Sequence, residues 1–265
     1  MRKVRRSLPT EILGILNDIK YGRNLQNVIA YLESNQSSDL MEEAPYLVGT
    51  NAKADKINQA HMRALDEKTE KKFWAIIEGD VTYEDIKNIS FAKQSLVVNV
   101  GAKVMLTAND ANGEYVNGTM GTIIDISKER GDATCIQVLT DKGKKVDVYR
   151  YEREIERQDI EESKEKDKNG ETVIVKKIVR KIVGSFKQFP IKIAWAMSIH
   201  KSQGQTFGQV NIDPRCWDSG QFYVAISRAE SIAGIHFMAP IMKQYIRTLS
   251  DEVIKILENS LKVIE

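Results

Sequence analysis

Three features of this 265-residue sequence predict an α/β fold interrupted by an all-β insertion. The N-terminal part combines helical periodicity with one short apolar run. The stretch from about 96 to 183 breaks into short β-rich runs parted by Gly, Asn and Asp turns. From Ile191 onward, helix and strand patterns alternate again.

The elements follow in order. Ser7-Leu8-Pro9 reads as a helix start, with Ser7 as cap and Pro9 in the first turn. Ile12, Leu13, Ile15, Leu16 and Ile19 recur at helical spacing up to Gly22, and a second helix is expected over 25–32. Tyr46-Leu47-Val48-Gly49-Thr50 reads as a buried strand, and Asn51 opens a helix through Ile57, Ala60 and Ala64. Strands are then expected at 96–100, 103–107, 119–126, 134–139, 145–149 and 172–183, with turns such as Asn117-Gly118 and Asn169-Gly170. Beyond them come a helix over 195–199, a strand near 210–212, a helix around 222–226, a strand at 235–238 and a final helix to the C-terminus.

Composition narrows the function classes. Hydrophobic residues make up 42% and charged residues 29%, and no apolar run is long enough to span a membrane. The basic start, Met1 to Arg6, is not followed by an apolar signal core. Two cysteines, Cys135 and Cys216, are too few for a disulfide framework, so a reducing, cytoplasmic location is expected. His61, His200 and His236 are scattered without a cysteine pair, so no metal site is expected. The net charge of +2 is uninformative, but its distribution is not. Residues 152–168 mix both signs and read as a solvated hairpin. Residues 176–192 carry Lys176, Lys177, Arg180, Lys181, Lys187 and Lys192, which suits either a solvated strand or a nucleic-acid surface.

Three segments concentrate chemistry. In the string AWAMSIHKSQGQT at 194–206, an apolar run leads into Ser198, His200, Lys201, Ser202, Gln203, Gly204 and Gln205. So many donors beside a glycine can hold phosphate oxygens of a nucleotide or of nucleic acid. In QFYVAISRA at 221–229, Arg228 is the lone cation at the end of an apolar helix. Taken alone it reads as a surface or salt-bridged arginine, but one so placed can also stabilise a transferring phosphoryl group. VGAKVML at 100–106, followed by VNGTMGTI at 116–123, reads as strand, Asn-Gly turn, strand.

In this order the three segments resemble the C-terminal half of superfamily-1 helicases of the RecD-like and PIF-type group. AWAMSIHKSQGQTF is similar to the family's motif V, with Gln188-Phe189-Pro190-Ile191 fitting its approach, and YVAISRA is similar to motif VI. VGAKVML with VNGTMGTI resembles the start of the inserted Src-homology-like barrel. Thr50-Asn51 with Ile57-Asn58 resembles the strand–helix segment before it, and Arg5-Arg6-Ser7 resembles the motif IV arginine segment. The resemblance implies a RecA-like parallel-sheet domain at 1–98 and 186–265, the second motor domain, interrupted by a small all-β barrel at 99–185. It implies that Arg228 contacts the γ-phosphate as an arginine finger, with Arg6 a second phosphate contact. Gln203, Gly204 and Gln205 would line the nucleotide cleft. Ser198 and His200 would face single-stranded DNA, as would Thr50 and Asn51, while Lys201 and Ser202 could serve either side. It also implies ATP and Mg2+ as cofactors of the complete enzyme, and 5′→3′ movement.

The phosphate-binding string G-x-x-x-x-G-K-[ST] is absent. Gly143-Lys144-Lys145 lacks the upstream glycine and the hydroxyl, and Glu42-Glu43 and Asp66-Glu67 lack the apolar strand that precedes a magnesium-binding pair. Those parts are expected in a preceding N-terminal RecA-like domain. The chain therefore reads as a fragment or a split subunit that binds no cofactor alone and hydrolyses no ATP by itself. The rival reading is a non-catalytic nucleic-acid-binding module. An intact motif VI arginine argues against it, because such a module has no use for a finger.

Overall fold

The computed structural model describes residues 10–36, 39–87, 89, 91, 93–128, 134–166 and 172–248. Two helices come first, α1 (Thr10–Tyr21) and α2 (Leu25–Asn35), then strand β1 (Tyr46–Val48) and helix α3 (Asn51–Arg63). Next are β2 (Lys71–Trp74), β3 (Ile76–Gly79), the one-turn helix α4 (Tyr83–Ile86), β4 (Ser95–Val98), β5 (Lys103–Leu106) and β6 (Met120–Lys128). They are followed by β7 (Thr134–Thr140), β8 (Lys145–Val148), β9 (Tyr151–Lys166), β10 (Thr172–Gln188) and β11 (Ile191–Ile193). The chain continues with β12 (Ala196–Ser198), β13 (Val210–Ile212), helix α5 (Gln221–Ile226) and β14 (Ile235–Phe237). Ser7, Pro9 and the expected C-terminal helix lie outside the described residues.

The chain divides into two compact units. The first, up to Ala64 and again from Ala194, is a mixed α/β unit around a parallel sheet of order β12-β1-β13-β14. Tyr46, Leu47 and Val48 pair with Ala196, Met197 and Ser198 on one side, and Tyr46 and Leu47 pair with Asn211 and Ile212 on the other. Leu47, Val48, Val210, Ile212 and Ile235 are fully buried, as expected where parallel strands are covered on both faces. Helix α3 packs on β1 and β12, and its Asn58 closes the free edge of β12. The Asn58 amide donates to Ala196 O at 2.9 Å, and its carbonyl accepts from Ala196 N at 2.8 Å. Helix α1 buries Ile12, Leu16 and Ile19 but leaves Leu13 half exposed, so its apolar stripe is narrower than the sequence pattern implies.

The second unit runs from Leu65 to Ile193. It is mostly antiparallel, with a five-stranded sheet of order β11-β5-β6-β7-β8 whose inward residues Val104, Leu106, Ile123, Ile136, Val138, Val146, Val148 and Ile191 are buried. A two-stranded ribbon pairs β2 with β4, and a three-stranded sheet has the order β3-β10-β9. The expected insertion, 99–185, lies inside this unit, which also takes in the residues from Leu65 to β4 and ends at β11.

The expected helix at 195–199 is a strand followed by a 3-10 turn, Ile199–Ser202. All three β12 residues are buried. A short apolar run buried on both faces carries no periodicity that separates strand from helix, and pairing with β1 decides it. The charged stretch at 152–168 lies largely in β9, one arm of a long hairpin with β10. Across it Lys176 meets Glu162 at 2.9 Å, Lys181 meets Asp159 at 2.9 Å and Lys187 meets Glu152 at 3.4 Å. These pairs match the basic strand with acidic partners and favour the solvated-hairpin reading of β10. Asn169-Gly170 lies outside the described residues.

The hairpin is rooted where Gly184 faces Gly79 beside a bulge at Ile182/Gly184. A Cβ on Gly184 would overlap Glu78 O and lie 2.7 Å from Val81 Cγ2. Beneath this point Phe186 joins Ile86, Phe91 and Ile155 in a buried cluster. Gly184→Ala is therefore expected to destabilise this unit by about 3 kcal/mol, through backbone displacement and strain in the cluster. The check is the shift in urea midpoint, and an unchanged midpoint would show that the β3–β10 contact yields freely.

Candidate functional site

Because the four strands of the first unit are parallel, their carboxyl ends share one edge. Binding crevices of open α/β sheets form at that edge. The segments singled out in the sequence leave from it: Gly49-Thr50-Asn51 after β1, the 198–205 string at the end of β12, and Asp213-Pro214-Arg215 after β13.

Thr50 is the cap of α3, its hydroxyl accepting from Lys53 N at 3.2 Å, and Asn51 is exposed in the first turn. In the 3-10 turn, His200 and Lys201 project outward, and His200 Nε2 lies 3.7 Å from Asp218 Oδ2. Ser198 is 4% exposed and Ser202 is fully buried, its hydroxyl donating to Ile199 O at 2.7 Å. Both serines are buried, and Ser202 ties the turn together through that bond. Gln203 and Gly204 are exposed, and Gly204 has φ +85°, a conformation that glycine adopts without strain.

Arg228 follows the end of α5 and is half-buried. Its Nε donates to Val224 O at 3.2 Å, one terminal nitrogen to Gln205 O at 3.2 Å and the other to Ser227 Oγ at 2.9 Å. Backbone bonds strengthen this join. Phe207 N donates to Arg228 O at 2.9 Å, and Glu230 N donates to Phe207 O at 3.0 Å. The structure thus brings Gln205 and Arg228 into direct contact, although 23 residues separate them. Thr50 and Asn51 open the helix whose Lys53 reaches the end of β13. Arg6 lies outside the described residues.

Sequence reading did not single out Asp213. Its carboxylate is 2% exposed at the end of β13 and takes hydrogen bonds from Lys53 Nζ and from Arg215 Nε, the latter at 2.7 Å. Burial pushes its pKa up, but the hydrogen bonds from Lys53 and Arg215, with the Lys53 charge, outweigh burial and hold it below the ordinary value. The available signal was an aspartate directly after an apolar strand. Among the described residues no cluster of three or more His, Cys, Asp or Glu could hold a metal ion, and no helix is long and apolar enough to cross a membrane.

A carboxyl whose pKa falls on folding stabilises the fold above its ordinary value, 3.8, and that contribution is lost as pH drops through the lower folded value. Asp213→Asn is expected to lose about 1–2 kcal/mol at neutral pH, since its two partners are partly solvated. The gap from wild type should shrink below about pH 4. Urea midpoints of both proteins across pH 3–7 test this, and a pH-independent gap would contradict it.

No protein-family model matches the chain. The ATP-dependent DNA helicase Pif1 of Bdellovibrio bacteriovorus is 31% identical over 229 residues, covering 85% of this chain and 46% of that protein. The PIF1 helicase of Danio rerio is 27% identical over 242 residues, covering 90% of this chain and 34% of that protein. The chain thus spans between about a third and a half of these relatives' length. Unliganded Pif1 from Bacteroides sp. superposes with a TM-score of 0.74 at 27% identity, covering 98% of this chain and 56% of that one. The Bacteroides protein has also been solved with ADP-AlF4 (TM-score 0.74, 26% identity) and with single-stranded DNA (0.68, 26%). The homologues of this chain are Pif1-type superfamily-1 helicases, and it matches the C-terminal half of such an enzyme.

Proposed function

We propose that the chain is the C-terminal motor half of an ATP-dependent DNA helicase, supplying an arginine finger and contacts to single-stranded DNA. The α/β unit is read as the second RecA-like domain and the β-rich unit as the inserted Src-homology-like barrel domain. The observation that carries this reading is the Gln205–Arg228 join, which draws the ends of the motif V-like and motif VI-like segments to one place. Gln203, Gly204 and Gln205 line the nucleotide side beside Arg228, and the resemblance adds Arg6 to the phosphate contacts. His200, Lys201, Thr50 and Asn51 face the DNA backbone, while Ser202 holds the turn from inside and Ser198 is buried at the end of β12.

An arginine held in place by fixed acceptors suits phosphoryl transfer, where catalysis is mostly positioning and charge stabilisation. The finger acts on a triphosphate anchored from the other side. That anchor, with its Mg2+ ligands, belongs to the N-terminal RecA-like domain, since this sequence has no G-x-x-x-x-G-K-[ST] string. The Bacteroides protein has been solved with ADP-AlF4 and with single-stranded DNA, the two kinds of ligand this reading calls for.

The chain by itself is expected to show no DNA-stimulated ATP hydrolysis above background. Supplying a family N-terminal motor domain in trans should raise the rate, and Arg228→Ala should lower the restored rate by about 10³-fold. Steady-state phosphate release measures both. Restored hydrolysis that is indifferent to Arg228→Ala would favour the non-catalytic binding module.

Binding of single-stranded DNA is expected to be sequence-indifferent and to weaken steeply with salt, because backbone contacts release counterions. Fluorescence anisotropy with oligo-dT and mixed-sequence oligonucleotides at rising salt tests it. Affinity unchanged between low and moderate salt would rule out the backbone assignment.

A further inference from the structure

Against Gly49, which directly precedes the DNA-assigned Thr50 and Asn51, lies a side chain that none of the sequence segments contains. Trp217 follows β13 and is 57% exposed. A lone exposed aromatic is ordinary on a protein surface, but its mounting and neighbours set this one apart. Two residues before it, Arg215 is tethered to buried Asp213, and Cys216 is itself buried, with its N–H donating to Pro214 O at 2.7 Å. Trp217 N donates to Gln221 Oε1 at 3.2 Å, and the amide of buried Gln221 donates to Gly49 O at 2.9 Å. The indole is thereby seated on the end of β1. A Cβ on Gly49 would lie 3.3 Å from the indole Nε1 and 3.4 Å from Cδ1, so the absence of a side chain there lets the ring's pyrrole edge rest on the backbone.

The other two tryptophans are differently placed. Trp195 is 8% exposed and stacks on His61 with ring centroids 5.2 Å apart. Trp74 is exposed, but the Lys72 ammonium lies 4.4 Å from its ring centre. Among the described residues no ring or cation covers Trp217. The residues around it have the chemistry that accompanies a base-stacking aromatic. Thr50 and Asn51 directly follow the glycine beneath it, Arg215 lies two residues before it, and the next residue, Asp218, faces His200. A fixed aromatic face beside backbone-binding groups is how single-stranded nucleic acid is gripped without sequence preference.

We propose that Trp217 is a stacking platform for one nucleobase of single-stranded DNA running along the carboxyl ends of the parallel strands, with Thr50 and Asn51 holding the adjacent backbone. The proposal rests on the DNA-binding reading above and adds a contact to a base.

The test is a titration of fluorescently labelled oligo-dT at low salt, read by anisotropy, alongside an equal-length oligonucleotide of abasic residues. Trp217→Ala should weaken oligo-dT binding by about tenfold, and Trp217→Phe, which keeps an aromatic face, by no more than about twofold. The abasic strand should bind the wild type more weakly than oligo-dT, and most of that difference should vanish in Trp217→Ala. Circular dichroism melting of each variant separates lost binding from lost fold, and Trp217→Phe carries the proposal if Trp217→Ala is unfolded. Salt-sensitive binding by the wild type, with folded Trp217→Ala equal to it or keeping the full abasic difference, overturns the platform and leaves the DNA reading intact. A wild type with no salt-sensitive binding overturns both.

Discussion

The parallel pairing of β1 with both β12 and β13 is the constraint on which the rest of the first unit depends. Parallel neighbours cannot be joined by a tight turn, so each strand must be followed by a crossover. Between β1 and β12 that crossover contains α3 and the whole unit from Leu65 to Ile193. The pairing survives so large an interruption because it is secured from two sides. Tyr46 N donates to Trp195 O at 2.7 Å, at the point where the chain re-enters the unit. Asn58 pairs both backbone groups of Ala196 on the outer edge. A three-residue edge strand has few hydrogen bonds of its own, and leaving those groups unsatisfied would cost more than the bonds contribute when made. Asn58 therefore sets the strand's position, and with it the position of the turn bearing His200 and Lys201.

The same edge shows why a charged residue can be buried there. A lone carboxylate at 2% exposure would be strongly unfavourable, but Asp213 has Lys53 from α3 and Arg215 from its own loop. The two cations remain partly in water, so the network avoids the full desolvation of three charges. What it contributes is geometry. It fixes the first turn of α3 against the end of β13, and so fixes Thr50 and Asn51 relative to the loop carrying Trp217. Arg228 is positioned in part by the carbonyls of Val224 and Gln205 and by the Ser227 hydroxyl.

Legibility in the sequence followed the kind of signal each element leaves. Helices α1, α2 and α3 were readable because their apolar positions recur at helical spacing, and strand β1 because a β-favouring apolar run ends at Gly49. Strand β12 was not, because Ala-Met-Ser buried on both faces has no period. β2 and β3 were not placed as strands, because their residues are largely exposed, while β9, expected only as part of a solvated hairpin, is held by cross-strand ion pairs and one long partner. Among the candidate site residues, the string from Ser198 to Gln205 and Arg228 drew notice as clusters of donors. Burial then divided that string, turning Ser198 and Ser202 inward and His200, Lys201 and Gln203 outward. Composition cannot encode that division, since it depends on which side chains of the turn pack inward.

Asp213 and Trp217 were illegible for a further reason: each owes its significance to residues far away in sequence. An aspartate after a strand is common, and only Lys53, 160 positions earlier, makes this one a strut. A tryptophan in a polar loop is equally unremarkable until Gly49, through the Gln221 amide, gives it a seat. Trp195 shows the converse. Although it stands within a string of binding residues, its ring is buried and stacks on His61. The availability of an aromatic face is set by tertiary packing. In this fold the available face belongs to the tryptophan outside the motif, because the loop after β13 reaches the sheet's carboxyl edge, whereas residue 195 enters β12 from the opposite end.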